Sequence, residues 1–195
     1  MLGKYVSRIS YLSLLVVGAF RERDEPTIKL VTGSSNEQQI GFSPKASFAE
    51  YVELPTQGDQ LRITLANFNS SCDDYASTPA DGIMVVLTLM LPAGQNPMVG
   101  TYPWPGLPAN VSSATDLDLK TPIVIPVVRQ GPRSATLLPG GSVDIQHVSL
   151  ERQGEVTGVM RLEQSGGDGR PPTRLFGTFA AKVCRTTNQA GNMGQ

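Results

Sequence analysis

Histidine and tryptophan each occur once in this chain, at His147 and Trp104, and cysteine occurs only twice, at Cys72 and Cys184. A single histidine excludes the HExxH zinc arrangement and any multi-histidine metal cluster. A catalytic triad could use His147 as its base, but no GxSxG elbow is present to hold a nucleophile. Charge is scarce as well. Charged residues make up 17% of the chain and the formal net charge is −1, so no broad field attracts phosphate backbones, and nucleic acid is not expected as a partner. The glycine-rich stretch Gly166-Gly167-Asp168-Gly169 lacks the Lys-Ser/Thr of a phosphate loop and reads as a hairpin tip.

Turn-forming residues are abundant: the 195 residues include 20 Gly and 15 Pro. That balance favours short strands over long helices, and the length suits one domain with a substantial core. Period-2 alternation recurs along the sequence and helical periodicity barely does. In "ASFAEYVELP", Phe48 and Val52 share one face while Ala49 and Tyr51 share the other. In "QLRITLANF", Leu61, Ile63 and Leu65 point one way, and Arg62 and Thr64 are expected to face water. "IMVVLTLML" is apolar on both faces and belongs at the centre of a sheet. "NPMVGTYPWPGLP" holds four prolines, which lack amide donors, so an edge segment or loop is expected there. "DLDLKTPIVIPVVRQ" alternates but is broken by Pro122 and Pro126, as in a bent edge strand.

The last third is the most regular. "GGSVDIQHVSLERQGEVTGVMRLEQ" reads as two strands around the turn Arg152-Gln153-Gly154, with glycine available for positive φ. Val143 and Ile145 differ in parity from Val148 and Leu150, which a bulge near Gln146 and His147 would reconcile. "TRLFGTFAAKVC" returns as a third strand with Leu175, Phe179, Ala181 and Val183 in phase. About eight strands separated by turns imply an all-β fold, an antiparallel β-sandwich first and a lipocalin-like β-barrel second.

The N-terminus carries Lys4 and Arg8, the apolar run "ISYLSLLVVGAF" and the small residues Val17-Gly18-Ala19, a pattern that fits a signal peptide over 1–19. The run ends at Arg21, Glu22 and Arg23, too soon for a span of about twenty apolar residues, so no stable membrane span is expected after cleavage. Residues 20–45 then form an extension with a possible first strand, 46–185 the sandwich domain, and 186–195 a disordered tail. In an exported chain, two cysteines without a CxxC spacing suit a structural disulfide between Cys72 and Cys184, two unrelated buried thiols being the alternative. A loop of about 110 residues would gain on the order of 4–5 kcal/mol in the chain-entropy account.

The order of an alternating early strand, a following cysteine, "GTY", "GGSVDI" and a terminal "GTFAAKVC" resembles small exported bacterial proteins, often lipoproteins, of uncharacterised function. The N-terminal segment itself resembles a lipoprotein signal. Phe20 stands where the lipidated cysteine would be, so lipid anchoring is not implied. The resemblance implies an all-β fold and the disulfide and carries over no catalytic residue; the signal pattern implies a mature chain in the periplasm or outside the cell.

Aspartates recur at Asp73-Asp74, Asp81, Asp116, Asp118 and Asp168, but none follows a known calcium-loop spacing, so no metal or cofactor is expected. Tyr102 and Trp104 sit among prolines and are the candidate recognition surface, loop packing being the commoner use of such rings. The expectation is a non-catalytic binding or structural module of the cell envelope, with an envelope protein or glycan as partner. The alternatives are a barrel carrier of an apolar ligand lined by Met84, Leu87 and Met160, and a hydrolase with paired carboxylates.

Overall fold

The structure, a computed structural model, describes residues 28–32, 38–54, 58–73, 78–106, 120–132, 134–151, 153–164 and 173–188. The expected signal peptide, Asp74, the Asp116 and Asp118 pair and the tip at Gly166 to Gly169 lie outside these described residues. Alternating segments become eleven strands: β1 (Ile28–Thr32), β2 (Gln38–Phe42), β3 (Ala46–Glu53), β4 (Gln60–Ala66), β5 (Ile83–Met90), β6 (Gly100–Trp104), β7 (Ile123–Gln130), β8 (Ser134–Leu137), β9 (Gly140–Val148), β10 (Glu155–Gln164) and β11 (Thr173–Asn188). No helix occurs among the described residues.

The fold is all-β, as the sequence implies. Its layers are not two separate sheets: one sheet runs β6-β9-β10-β11-β3-β4-β5-β7-β8 and curls into a half-barrel around a single core. Leu61, Ile63 and Leu65 of β4 meet Val85, Leu87 and Leu89 of β5 and Val143 and Ile145 of β9 in that core. β5 lies between β4 and β7 and is buried on both sides, with Met84 and Met90 on the face opposite Val85 and Leu87. Leu175, Phe179, Ala181 and Val183 of β11 are all buried in phase.

Not every pairing is antiparallel. β11 lies alongside β10, while on its other side Thr173 to Gly177 pair with β1 and Lys182 to Asn188 pair in parallel with β3. The parallel pair follows from connectivity. β1 opposes β11, β2 opposes β1, and β2 runs on into β3 without a reversal, so β3 must travel with β11. Where the partner changes from β1 to β3, the Ser47 hydroxyl donates to the Ala180 carbonyl at 2.5 Å and satisfies an acceptor without a ladder partner. β11 continues through Asn188, so the strand extends beyond residue 185 into the segment expected to be a tail.

Two bulges correct the phase of the apolar pattern. Thr157 pairs with His147 and Gly158 with Ile145, which leaves Gln146 as the extra residue, where the parity change required one. Val183 pairs with Ala49 and Arg185 with Glu50, which leaves Cys184 as the extra residue on β11. Cys184 is bonded to Cys72, with their Cα atoms 6.4 Å apart across a separation of 112 residues. β4 and β11 flank β3 on opposite sides, so this bond draws the chain that follows β4 across the outer face of β3. The outer face of β3 and β4 is not a water-facing surface. Thr64 is 1% exposed, and Arg62 forms an ion pair at 3.7 Å with the buried Glu50, its cross-strand neighbour.

The ends of the sheet path meet at a seam built around Pro126. β7 is not an edge strand: it pairs with β5 along its length and with β8 over Val127 to Gln130. One step beyond that ladder, Leu138 N–H donates to Pro126 O at 3.2 Å. The reciprocal bond would need an amide hydrogen that proline lacks. The Trp104 indole N–H, arriving from β6, donates to the Leu138 carbonyl instead.

The β9–β10 turn uses its residues differently from the expected pattern. Gln153, not Gly154, carries the positive φ, 69°. Glycine is required at 154 because a Cβ there would collide with the Ser149 carbonyl. Gln153→Gly should therefore raise stability by about 0.5–1 kcal/mol, the left-handed penalty less the added freedom of the unfolded chain, read as a higher denaturant midpoint; Gly154→Ala should lower it. Trp104→Phe should cost about 2–4 kcal/mol, because it removes buried volume and leaves the Leu138 carbonyl without its donor.

Candidate functional site

The connection from β5 to β6 is held from below by a buried tyrosine hydroxyl. Met98 N–H donates to the Tyr102 oxygen at 3.0 Å, and the Tyr102 hydroxyl donates back to the Met98 carbonyl at 2.8 Å. Two residues earlier, the Asn96 side-chain oxygen lies 3.0 Å from the Tyr51 hydroxyl, whose one hydrogen is directed to Asp59. Pro97, between Asn96 and Met98, is buried. Gly100 follows with φ 155°, a conformation that glycine adopts without strain, and has open space where a Cβ would stand. The consequence is an apolar tip fixed in position: Met98 is 67% and Val99 65% exposed.

Tyr102 and Trp104 are thus not a recognition surface. Both are buried, because β6 pairs with β9 in a register that sends alternate side chains, Tyr102 and Trp104, into the core while Thr101, Pro103 and Pro105 face outward. The prolines mark the outer side of an edge strand. The residues that do project, Met98 and Val99, stand just before the strand and were legible only as the apolar pair beside a glycine.

Tyr51 stands between the tip segment and the barrel end. Its hydroxyl donates to Asp59 Oδ2 at 3.1 Å, while Asp59 Oδ1 accepts the Leu54 N–H at 3.1 Å and the Asp59 carbonyl accepts the Leu91 N–H at 2.9 Å. Both carboxylate oxygens of Asp59 are therefore engaged in holding the chain. Burial, then the hydrogen bond to Asp59 and the negative charges of Asp59 and Glu53, keep the Tyr51 phenol protonated well above its ordinary range.

The remaining candidate residues do not converge. His147 is exposed beside the β9 bulge, and no described residue hydrogen-bonds its ring. Asp73 and Asp81 are exposed in the connection after β4, and among the described residues no group of three or more His, Cys, Asp or Glu side chains could hold a metal ion. Leu87 and Met160 are packed into the common core, whereas Met84 faces the other side of β5, so the three do not line one cavity. Among the described residues, no helix is long and apolar enough to cross a membrane. No protein-family model, curated protein or solved structure matches this chain.

The Tyr51 phenol titrates above its unfolded value of 10.0 in the folded chain, so its contribution is complete below pH 10 and is lost as pH rises beyond it. Tyr51→Phe should be less stable than the parent by about 1–2 kcal/mol at neutral pH, and denaturant melts should show that gap narrowing above pH 10. A gap that widens with pH would mean that the phenol does not titrate this way.

Proposed function

We propose that the chain is an exported, non-catalytic binding module of the bacterial cell envelope, and that it engages a protein partner through the Met98–Val99 tip. The observation that carries this reading is the Tyr102 hydroxyl bonded to both backbone groups of Met98 beneath two exposed apolar side chains. Exposed apolar residues on a mobile loop lose conformational freedom when they bind; here the backbone is already ordered, and its cost has been met in folding. Export is supported by the disulfide and by the charged-then-apolar N-terminal sequence.

Two measurements test the two halves of the proposal. Intact mass of the chain made with its own N-terminus, with alkylation before and after reduction, should show loss of residues 1–19 and thiols that react only after reduction. Retention of those residues with freely alkylated thiols would overturn export. A photo-crosslinking side chain placed at Gln95, exposed beside the tip, should yield a discrete adduct in the producing cells. That adduct should disappear with Met98→Asp and weaken several-fold with Tyr102→Phe, which frees the Met98 backbone. An adduct that survives Met98→Asp would remove the tip as the contact.

A further inference from the structure

The outer face of the sheet carries a second feature, at the far end of β9 from the tip: Gly100, next to Val99, pairs with Ile145, whereas Trp104 pairs with Gly141. At that far end β9 contributes only Gly140 and Gly141, opposite Glu163 and Leu162. The absence of side chains on β9 leaves a groove of about 480 Å³ floored by Gly141 and Leu162 and walled by Arg161 and Glu163 of β10 and Arg174 and Phe176 of β11. The four walls stand in cross-strand register, Arg161 beside Phe176 and Glu163 beside Arg174.

The walls have distinct chemistry. Arg161 is paired with Asp144, at 3.0 Å, and Asp144 also accepts the Thr101 hydroxyl at 2.6 Å, so Arg161 already has a carboxylate partner. Arg174 is exposed and bonded to no described side chain, although Glu163 is its cross-strand neighbour. Phe176 is 40% exposed, a large ring left open beside its cross-strand neighbour Arg161. A free guanidinium offers paired donors to a carboxylate. An exposed ring offers an apolar platform for the C–H face of a sugar, and Glu163 offers acceptors for hydroxyl groups. The same Glu163 opposes a second negative charge on the ligand.

We propose that this groove binds a monoanionic sugar of the uronate class, with its carboxylate on Arg174, its ring face on Phe176 and hydroxyls directed at Glu163. The site is independent of the Met98–Val99 tip, and its failure would leave the reading of the tip untouched.

The test is a titration of the oxidised full chain, followed by backbone amide resonances, with glucuronate, glucose and inorganic phosphate as probes. Glucuronate at up to about 50 mM should shift the amides of Gly140 to Ser142, Arg161 to Glu163 and Arg174 to Phe176 in a saturable manner. Glucose should bind at least about tenfold more weakly, because it offers Arg174 no carboxylate for a charge-assisted contact, and phosphate should leave these amides unmoved. Arg174→Gln should weaken glucuronate about tenfold and Phe176→Ala several-fold, while Arg129→Gln, exposed on β7, should change nothing. Both groove positions are exposed, and an otherwise unchanged spectrum verifies that the variants fold. Absence of saturable shifts, equal binding of glucose, or binding unaffected by Arg174→Gln would each overturn the proposal.

Discussion

The curled sheet depends on how one missing hydrogen is replaced. Pro126 interrupts the β7–β8 ladder where the two ends of the sheet path approach, and the carbonyl of Leu138 would be left without a donor there. The indole of Trp104 provides it from β6. A buried carbonyl without a partner costs a sizeable fraction of a small domain's net stability, so this contact does more than fill space. It ties the β6 edge to the β7–β8 end and places the only tryptophan at the centre of the seam. The prolines that rule out a regular central strand therefore help to define how the half-barrel comes together.

A second constraint acts from outside. The bond between Cys72 and Cys184 joins the chain after β4 to a bulge on the last strand, with β3 between them. On the face of β3 and β4 that sequence alternation would assign to water, Thr64 and Glu50 are buried. The Glu50 carboxylate tolerates this position because Arg62 stands opposite it. The long β11 strand then integrates the fold, because it pairs with β10 on one side and successively with β1 and β3 on the other.

These constraints place the tip and the groove at opposite ends of β9. The tip is an apolar pair held up by a tyrosine whose ring lies in the core, so the order of the core is transmitted directly to the surface. The groove arises from the opposite device, a place where glycines withhold side chains. Neither feature assembles a nucleophile, a base and an acid. Asp59 has both carboxylate oxygens occupied, and His147 is exposed at a bulge.

Local alternation determined a great deal by itself. The all-β class, the spans of β3, β4, β5 and β10, the two-sided burial of β5 and the bulge at Gln146 were all legible, because side-chain parity is a local property of an extended chain. The pairing of Cys72 with Cys184 was legible because only two cysteines exist. Tertiary structure alone decided the rest. Whether alternating strands form two sheets or one curled sheet depends on pairings between distant segments, and the same holds for the parallel β3–β11 contact. The orientation of Tyr102 and Trp104 could not be read from their proline-rich surroundings, since it follows from the register of β6 on β9. The groove was equally invisible, because it depends on the register that sets Glu163 beside Arg174 and Arg161 beside Phe176, and on the two glycines of β9 falling next to them.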